Sequence, residues 1–170
     1  MADIKRTQDD ATGQLFDELD RVRAGMLGIR GADDHMQPMS HFADRDARAL
    51  YFITASDTDL VKAIGNGADA RFALTGKDHD FYAGLQGPIR VSNDSAKLDE
   101  LWSNIAAAWF EGGRDDPRVT LLEMPIAEAA VWSSTGNPVS FAWEIARSNM
   151  NEEHTPDVGV HKVIDFRRAA

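Results

Sequence analysis

The sequence predicts an α+β fold built on a small antiparallel barrel, and three observations lead there. Short β-branched and aromatic stretches, such as ALYFIT at 49–54, recur between clusters of Gly, Pro, Asn and Asp. Helical periodicity is confined to separate segments. The two kinds of segment do not alternate in the regular βαβ manner of a parallel sheet, so roughly six or seven strands and three or four helices are expected. At 170 residues, the chain fits one domain spanning 1–170 and can bury roughly 68–70 % of its unfolded surface.

The first helix is expected over about 8–24, with Leu15, Phe16, Leu19 and Val22 on one stripe, Asp17, Glu18, Asp20 and Arg21 facing away, and Thr7 with Asp10 as a capping box. MLGIR and MQPMSHF then read as a hairpin turning at GADDH, with Pro38 at a sheet edge. ALYFIT is a buried strand. Ser56 with Asp59 suggests the cap of a short helix carrying Leu60, Val61 and Ile64 and ending near Gly65. ARFALTG and the stretch Phe81, Ala83, Leu85 follow as strands, with Gly87-Pro88 as a bulge. Leu98, Leu101, Trp102, Ile105, Ala106 and Trp109 predict a helix over about 94–110. Two strands within 118–132, separated by Pro125, read as a second hairpin. Asn137-Pro138 then opens a last helix bearing Phe141, Ile145 and Met150, and the polar stretch after it reads as loop.

Composition removes several classes of function. The 18 Lys+Arg against 28 Asp+Glu give a net charge of −10, without a basic cluster. Nucleic acid and anionic membrane are therefore excluded as expected partners, because a phosphate-tracking surface needs clustered cations. Absence of cysteine removes disulfides, thiolate metal sites and thiol catalysis. The N-terminal residues form no apolar signal core, and no apolar run approaches the length of a membrane span, so a cytoplasmic protein is expected.

Little of the remaining chemistry has a motif. His35, His41, His79, His154 and His161 fall into no metal-ligand spacing and read as surface or structural residues. Ser133-Ser134-Thr135 reads as a polar loop and no nucleophile elbow is present. The glycines fit neither a dinucleotide fingerprint nor a P-loop, and acidic pairs such as Asp33-Asp34 lack calcium-loop spacing. Trp102 and Trp109 share a helical face and fill a core or interface, although aromatics beside Gly112-Gly113 also suit a planar ligand. The end of ALYFIT is the most suggestive unit. Thr54, Ser56 and Thr58 gather hydroxyls where a helix begins, a place that caps a helix and also attracts an anion, with Lys62 a turn further on.

In their order, the MLGI, QPMS, LYFIT, SDTDLVKAI, ARFAL and GPIRV segments resemble the pyridoxamine 5′-phosphate oxidase-like flavoproteins. The run LWSNIAAAWFEGGRDDP is more narrowly similar to their general stress protein 26 group, and VWSSTGNPVSFAWEIAR is similar too. The likeness covers about residues 8–166. It implies a six-stranded antiparallel split β-barrel with flanking helices, forming a homodimer with FMN at the subunit interface. Gln37, Pro38, Met39 and Ser40 would line the isoalloxazine edge, largely through backbone groups, with Phe52, Ile53 and Thr54 as the second strand. Thr58 and the helix start would receive the phosphate, aided by Lys62, and Trp109 and Trp132 would close the pocket.

Two departures from the family pattern bear on that ligand. Gln37 stands where the family usually has Arg, and Leu60 stands where a Lys usually follows the phosphate-binding residue. Loss of two charge-assisted bonds amounts to about a hundredfold or more in affinity. The resemblance therefore implies FMN that is weakly bound or absent. In function it implies a flavin-dependent oxidoreductase of unidentified substrate. The alternatives are a cofactor-free dimeric binding module, or a binder of another planar cofactor such as haem or a deazaflavin.

Overall fold

The structure is a computed structural model that describes residues 3–32, 35–102, 110–134 and 159–168. Its chain runs α1 (Ile4–Asp9), α2 (Ala11–Arg21), β1 (Ala24–Ile29), β2 (Gln37–Ser40), β3 (Phe42–Asp44), β4 (Ala49–Ala55), α3 (Asp59–Ile64), β5 (Ala68–Thr75), β6 (Phe81–Ser92), α4 (Ser95–Leu101), β7 (Val119–Pro125), β8 (Glu128–Ser134) and β9 (Gly159–Asp165). The described strands number nine, more than the six or seven expected, but the class is the expected one: an antiparallel sheet curled around a core, with few helices.

β6 organises the molecule. Its residues 82–89 pair without interruption with β5, while its other edge pairs with β8 over 81–86 and with β7 over 90–92. The sheet therefore divides into a wing ordered β2-β1-β5-β6-β8-β9 and a wing ordered β6-β7-β4-β3. Gly87 marks the change of partner. An added Cβ there would stand 2.0 Å from the Pro125 carbonyl oxygen, so the close approach of the β7–β8 connection requires glycine. Gly87-Pro88 is thus no bulge. Nor do β7 and β8 form a hairpin, because each pairs with a different part of β6.

Alternation points Phe72 and Leu74 of β5, Phe81, Ala83 and Leu85 of β6, and Ala129 and Val131 of β8 into one core, which Leu15, Phe16 and Leu19 of α2 close. Each large side chain buried there stabilises the fold by about 1.5–3 kcal/mol. β4 is buried on both faces: Leu50 and Phe52 enter that core, while Ala49, Tyr51 and Ile53 meet Leu98, Leu121 and Trp102 in a second cluster.

Local chemistry corrects several sequence expectations. The first helical segment breaks at Asp10, which caps α2 by accepting from the Gly13 N–H, while Thr7 is buried and donates to Gln14 Oε1 at 2.7 Å. Glu18 does not face away; it is buried and ion-paired with Arg21 at 3.2 Å. Thr58, not Ser56, caps α3. The helix expected over 94–110 ends at Leu101, because Trp102 takes extended backbone, and 103–109 lie outside the described residues. Ser133 and Ser134 belong to β8 rather than a loop, β9 is a strand where no element was expected, and residues 151–158 of the stretch expected as loop lie outside the described residues. The helix expected from Asn137 falls outside the described residues, as does His154. Among the described residues no helix is long and apolar enough to cross a membrane.

Candidate functional site

Two strand edges create an opening in the barrel. β2 and β3 form one extended stretch interrupted at His41, which begins on β1 of the first wing and ends on β4 of the second. β3 reaches only as far as Tyr51. On that side, Phe52, Ile53 and Thr54 have no strand partner among the described residues, although their other edge pairs with β7. β2 is likewise the outer strand of its wing. Such edges present backbone N–H and C=O groups to whatever lies between them.

The side chains of these strands divide between roles. Phe52 is fully buried against Phe72, with ring centroids 5.5 Å apart, and Ile53 packs in the second cluster. Thr54 and Gln37 are half-buried; Met39 packs on the main core; Pro38 and Ser40 are exposed. The first of these residues could therefore meet a ligand through backbone alone, whereas Pro38 and Ser40 present side chains as well.

A second feature lies on the outward face of the six-stranded wing. Pairing aligns Pro38, Met26, Ala73, Gly84, Ala130 and Val163 in one row across all six strands. The adjacent row carries Thr75, Tyr82, Trp132 and His161. The small residues leave a shallow depression of about 560 Å³, lined by Pro38, Met26, Gly84, Tyr82 and Trp132 among others. Trp132 is 45 % exposed and stacks on His161, centroids 4.8 Å apart and planes 14° apart. Volume and aromatic lining suit a flat ring, but the depression is open and needs a cover.

At the end of β4 the Thr58 hydroxyl and the cations are already engaged, while the Ser56 side chain is exposed. Thr58 Oγ1 accepts from the Val61 N–H at 3.3 Å and donates to the Ala55 carbonyl at 3.0 Å. Lys62 Nζ is ion-paired with Asp59 at 2.9 Å, which raises the amine and lowers the carboxyl from their ordinary values. Leu60 is buried in the core. Arg118, which sequence reasoning missed, reaches this turn through its carbonyl, the acceptor for the Ser56 N–H at 2.8 Å. Its guanidinium grips Asp116 with both arms, the principal reason that carboxyl is pushed down to about 2. Asp57 and Glu111 add further negative charge near Arg118, and Asp57 also acts on Lys62.

The arrangement brings Pro38 and Trp132 to one depression and sets Gln37–Ser40 beside the free edge at Phe52–Thr54. Thr58 and Lys62 belong to the separate turn, and Trp109 lies outside the described residues. The open apolar face and paired edges fit a flavin ring. The turn fits a phosphate poorly, since the Thr58 hydroxyl and both cations have internal partners, which leaves the exposed Ser56 hydroxyl as a neutral donor there. Tyr82, Met26 and Gly84 were also missed as site residues; their signal was the outward register of strands recognised only for their inward faces. Among the described residues no cluster of His, Asp and Glu could hold a metal ion.

The sequence model of the family described as pyridoxamine 5′-phosphate oxidase like matches residues 10–157. No curated protein sequence matches the chain. Among solved structures, a chain from Jannaschia sp. CCS1 named for general stress protein 26 is 39 % identical, covering 93 % of this chain and 99 % of that one, with a TM-score of 0.78. A Xanthomonas campestris pv. campestris chain named for the general stress family is 35 % identical over 78 % of this chain and 90 % of its own, with a TM-score of 0.67. The general stress FMN/FAD binding protein of Xanthomonas citri is 31 % identical, covering 74 % of this chain and 89 % of that one, with a TM-score of 0.68.

Proposed function

The chain belongs to the pyridoxamine 5′-phosphate oxidase-like family, in its general stress protein 26 group, and we propose that it is a cytoplasmic flavin-binding protein acting as a homodimer with FMN between its subunits. The observation that carries this reading is the juxtaposition of two free strand edges, Gln37–Ser40 and Phe52–Thr54, at the mouth of the barrel. Backbone groups on both edges would hydrogen-bond the polar rim of an isoalloxazine. The uncovered aromatic and apolar face supports the second subunit, with Trp132 and Trp109 proposed to shield the ring. Thr58 and Lys62 are the expected phosphate-end residues, and their internal partners make them poor ones.

A bound flavin supplies hydride or electron transfer, and the protein contributes orientation, hydrogen bonds and exclusion of water. We assign oxidoreductase chemistry on that basis, with the substrate open and no side chain named as acid or base. The binding of FMN or FAD by the X. citri relative supports the same ligand class. Titration of the purified protein with FMN, followed by quenching of flavin fluorescence, tests the proposal. Saturable binding is expected, and its absence up to millimolar FMN would overturn the flavin reading.

A further inference from the structure

We infer that this site holds its flavin by the ring and ribityl chain alone, and that riboflavin binds about as tightly as FMN. The inference rests on the flavin reading above and concerns the phosphate end of that site. A phosphate placed at the β4–α3 turn would need donors with free hydrogens and unpaired positive charge. The Thr58 hydroxyl instead gives its hydrogen to the Ala55 carbonyl and accepts from the Val61 N–H. Its geometry is that of a helix cap, and the exposed Ser56 hydroxyl, a neutral donor, brings no charge to a phosphate. The side chain two positions on, Leu60, is 4 % exposed and part of the core, so that position cannot present a charged group to solvent without unpacking α3.

Charge gives the second line of argument. Among the described residues two cations stand at the turn, and each is matched: Lys62 by Asp59, and Arg118 by the bidentate Asp116. Asp57 acts on both cations and Glu111 acts on Arg118, which leaves carboxylates in excess. A phosphate monoester arriving here meets net negative charge. Releasing either cation would break an ion pair to make one, so the phosphate gains little over water. The neutral ring and hydroxylated chain meet none of this, because the depression on the sheet face is lined by apolar and aromatic groups. Screening then has an unusual sign: salt weakens anion binding at a cationic site, but here it relieves repulsion.

The test is parallel titration of the full chain with riboflavin and with FMN at low and high ionic strength, repeated on Asp59→Asn. Dissociation constants within about threefold of each other, and FMN binding that holds or tightens with salt, are expected. In Asp59→Asn the released Lys62 should tighten FMN by about tenfold, the worth of one charge-assisted bond, and leave riboflavin unchanged, which also certifies the fold. FMN binding more than tenfold tighter than riboflavin in the parent chain, and weakened by salt, would overturn the inference while sustaining the flavin reading. Failure of both ligands to bind would overturn both.

Discussion

The His41 ring lies buried between the end of α2 and Phe72, with Nε2 2.9 Å from the Leu19 carbonyl and Nδ1 without a hydrogen-bond partner. The contact places a proton on Nε2, and the unpartnered Nδ1 leaves a second ring proton without an acceptor. Burial lowers the pKa from its ordinary 6.5, and neither the Leu19 carbonyl nor the charge of Asp20 offsets it. The sign follows directly. Above pH 6.5 the ring is neutral folded or unfolded; below it the unfolded chain takes up the proton first, so stability falls as pH drops through that range. Urea midpoints measured between pH 7.5 and 5.5 should decline, and His41→Gln, which keeps a donor but does not titrate, should remove most of the slope. A parent midpoint that stays level across this range would refute the assignment. In the sequence His41 was one more unmotivated histidine; only its placement under α2 gives it a role.

At the scale of elements, strands with one buried face were legible because alternation of Phe72 with Leu74, or of Phe81, Ala83 and Leu85, records which side meets the core. Partners were not legible. β7 and β8 look like a hairpin because they are neighbours in sequence, yet they flank the same strand, β6, at different heights. β9 carries polar residues along an outer strand and so lacks the alternation that identifies a half-buried one. Caps were shifted for a related reason, from Ser56 to Thr58 in α3 and from Thr7 to Asp10 in α2: several hydroxyl and carboxylate side chains stand at each helix start, and backbone geometry selects among them. Thr58 is the selected cap of α3. Thr58→Ala should therefore destabilise the protein by about 1 kcal/mol, read as a lower denaturation midpoint, with FMN affinity essentially unchanged. A large loss of FMN affinity with unaltered stability would show the hydroxyl to be a ligand rather than a cap.

For the whole molecule, the two wings differ in what covers them. The β4 wing has Leu98, Leu101 and Trp102 on its outer side, whereas the outward face of the other wing leaves Met26, Tyr82, Trp132 and Val163 exposed, Val163 to 56 %. An uncovered apolar face of this extent is characteristic of association. Sedimentation at micromolar concentration should give a dimer. Charges introduced by Met26→Asp with Val163→Asp should shift it to monomer with native circular dichroism, and a double variant that stays dimeric would place the interface elsewhere. Length, acidity, absence of cysteine, the strand-rich pattern and the run from Trp109 to Pro117 were enough for the sequence to determine the α+β class and the family resemblance. Those properties are local or summed along the chain. Tertiary structure alone decided that β6 serves two wings and that β2 and β4 leave facing edges. Each of these depends on which distant residues meet, and pairing across space leaves no periodic trace in a single strand of sequence.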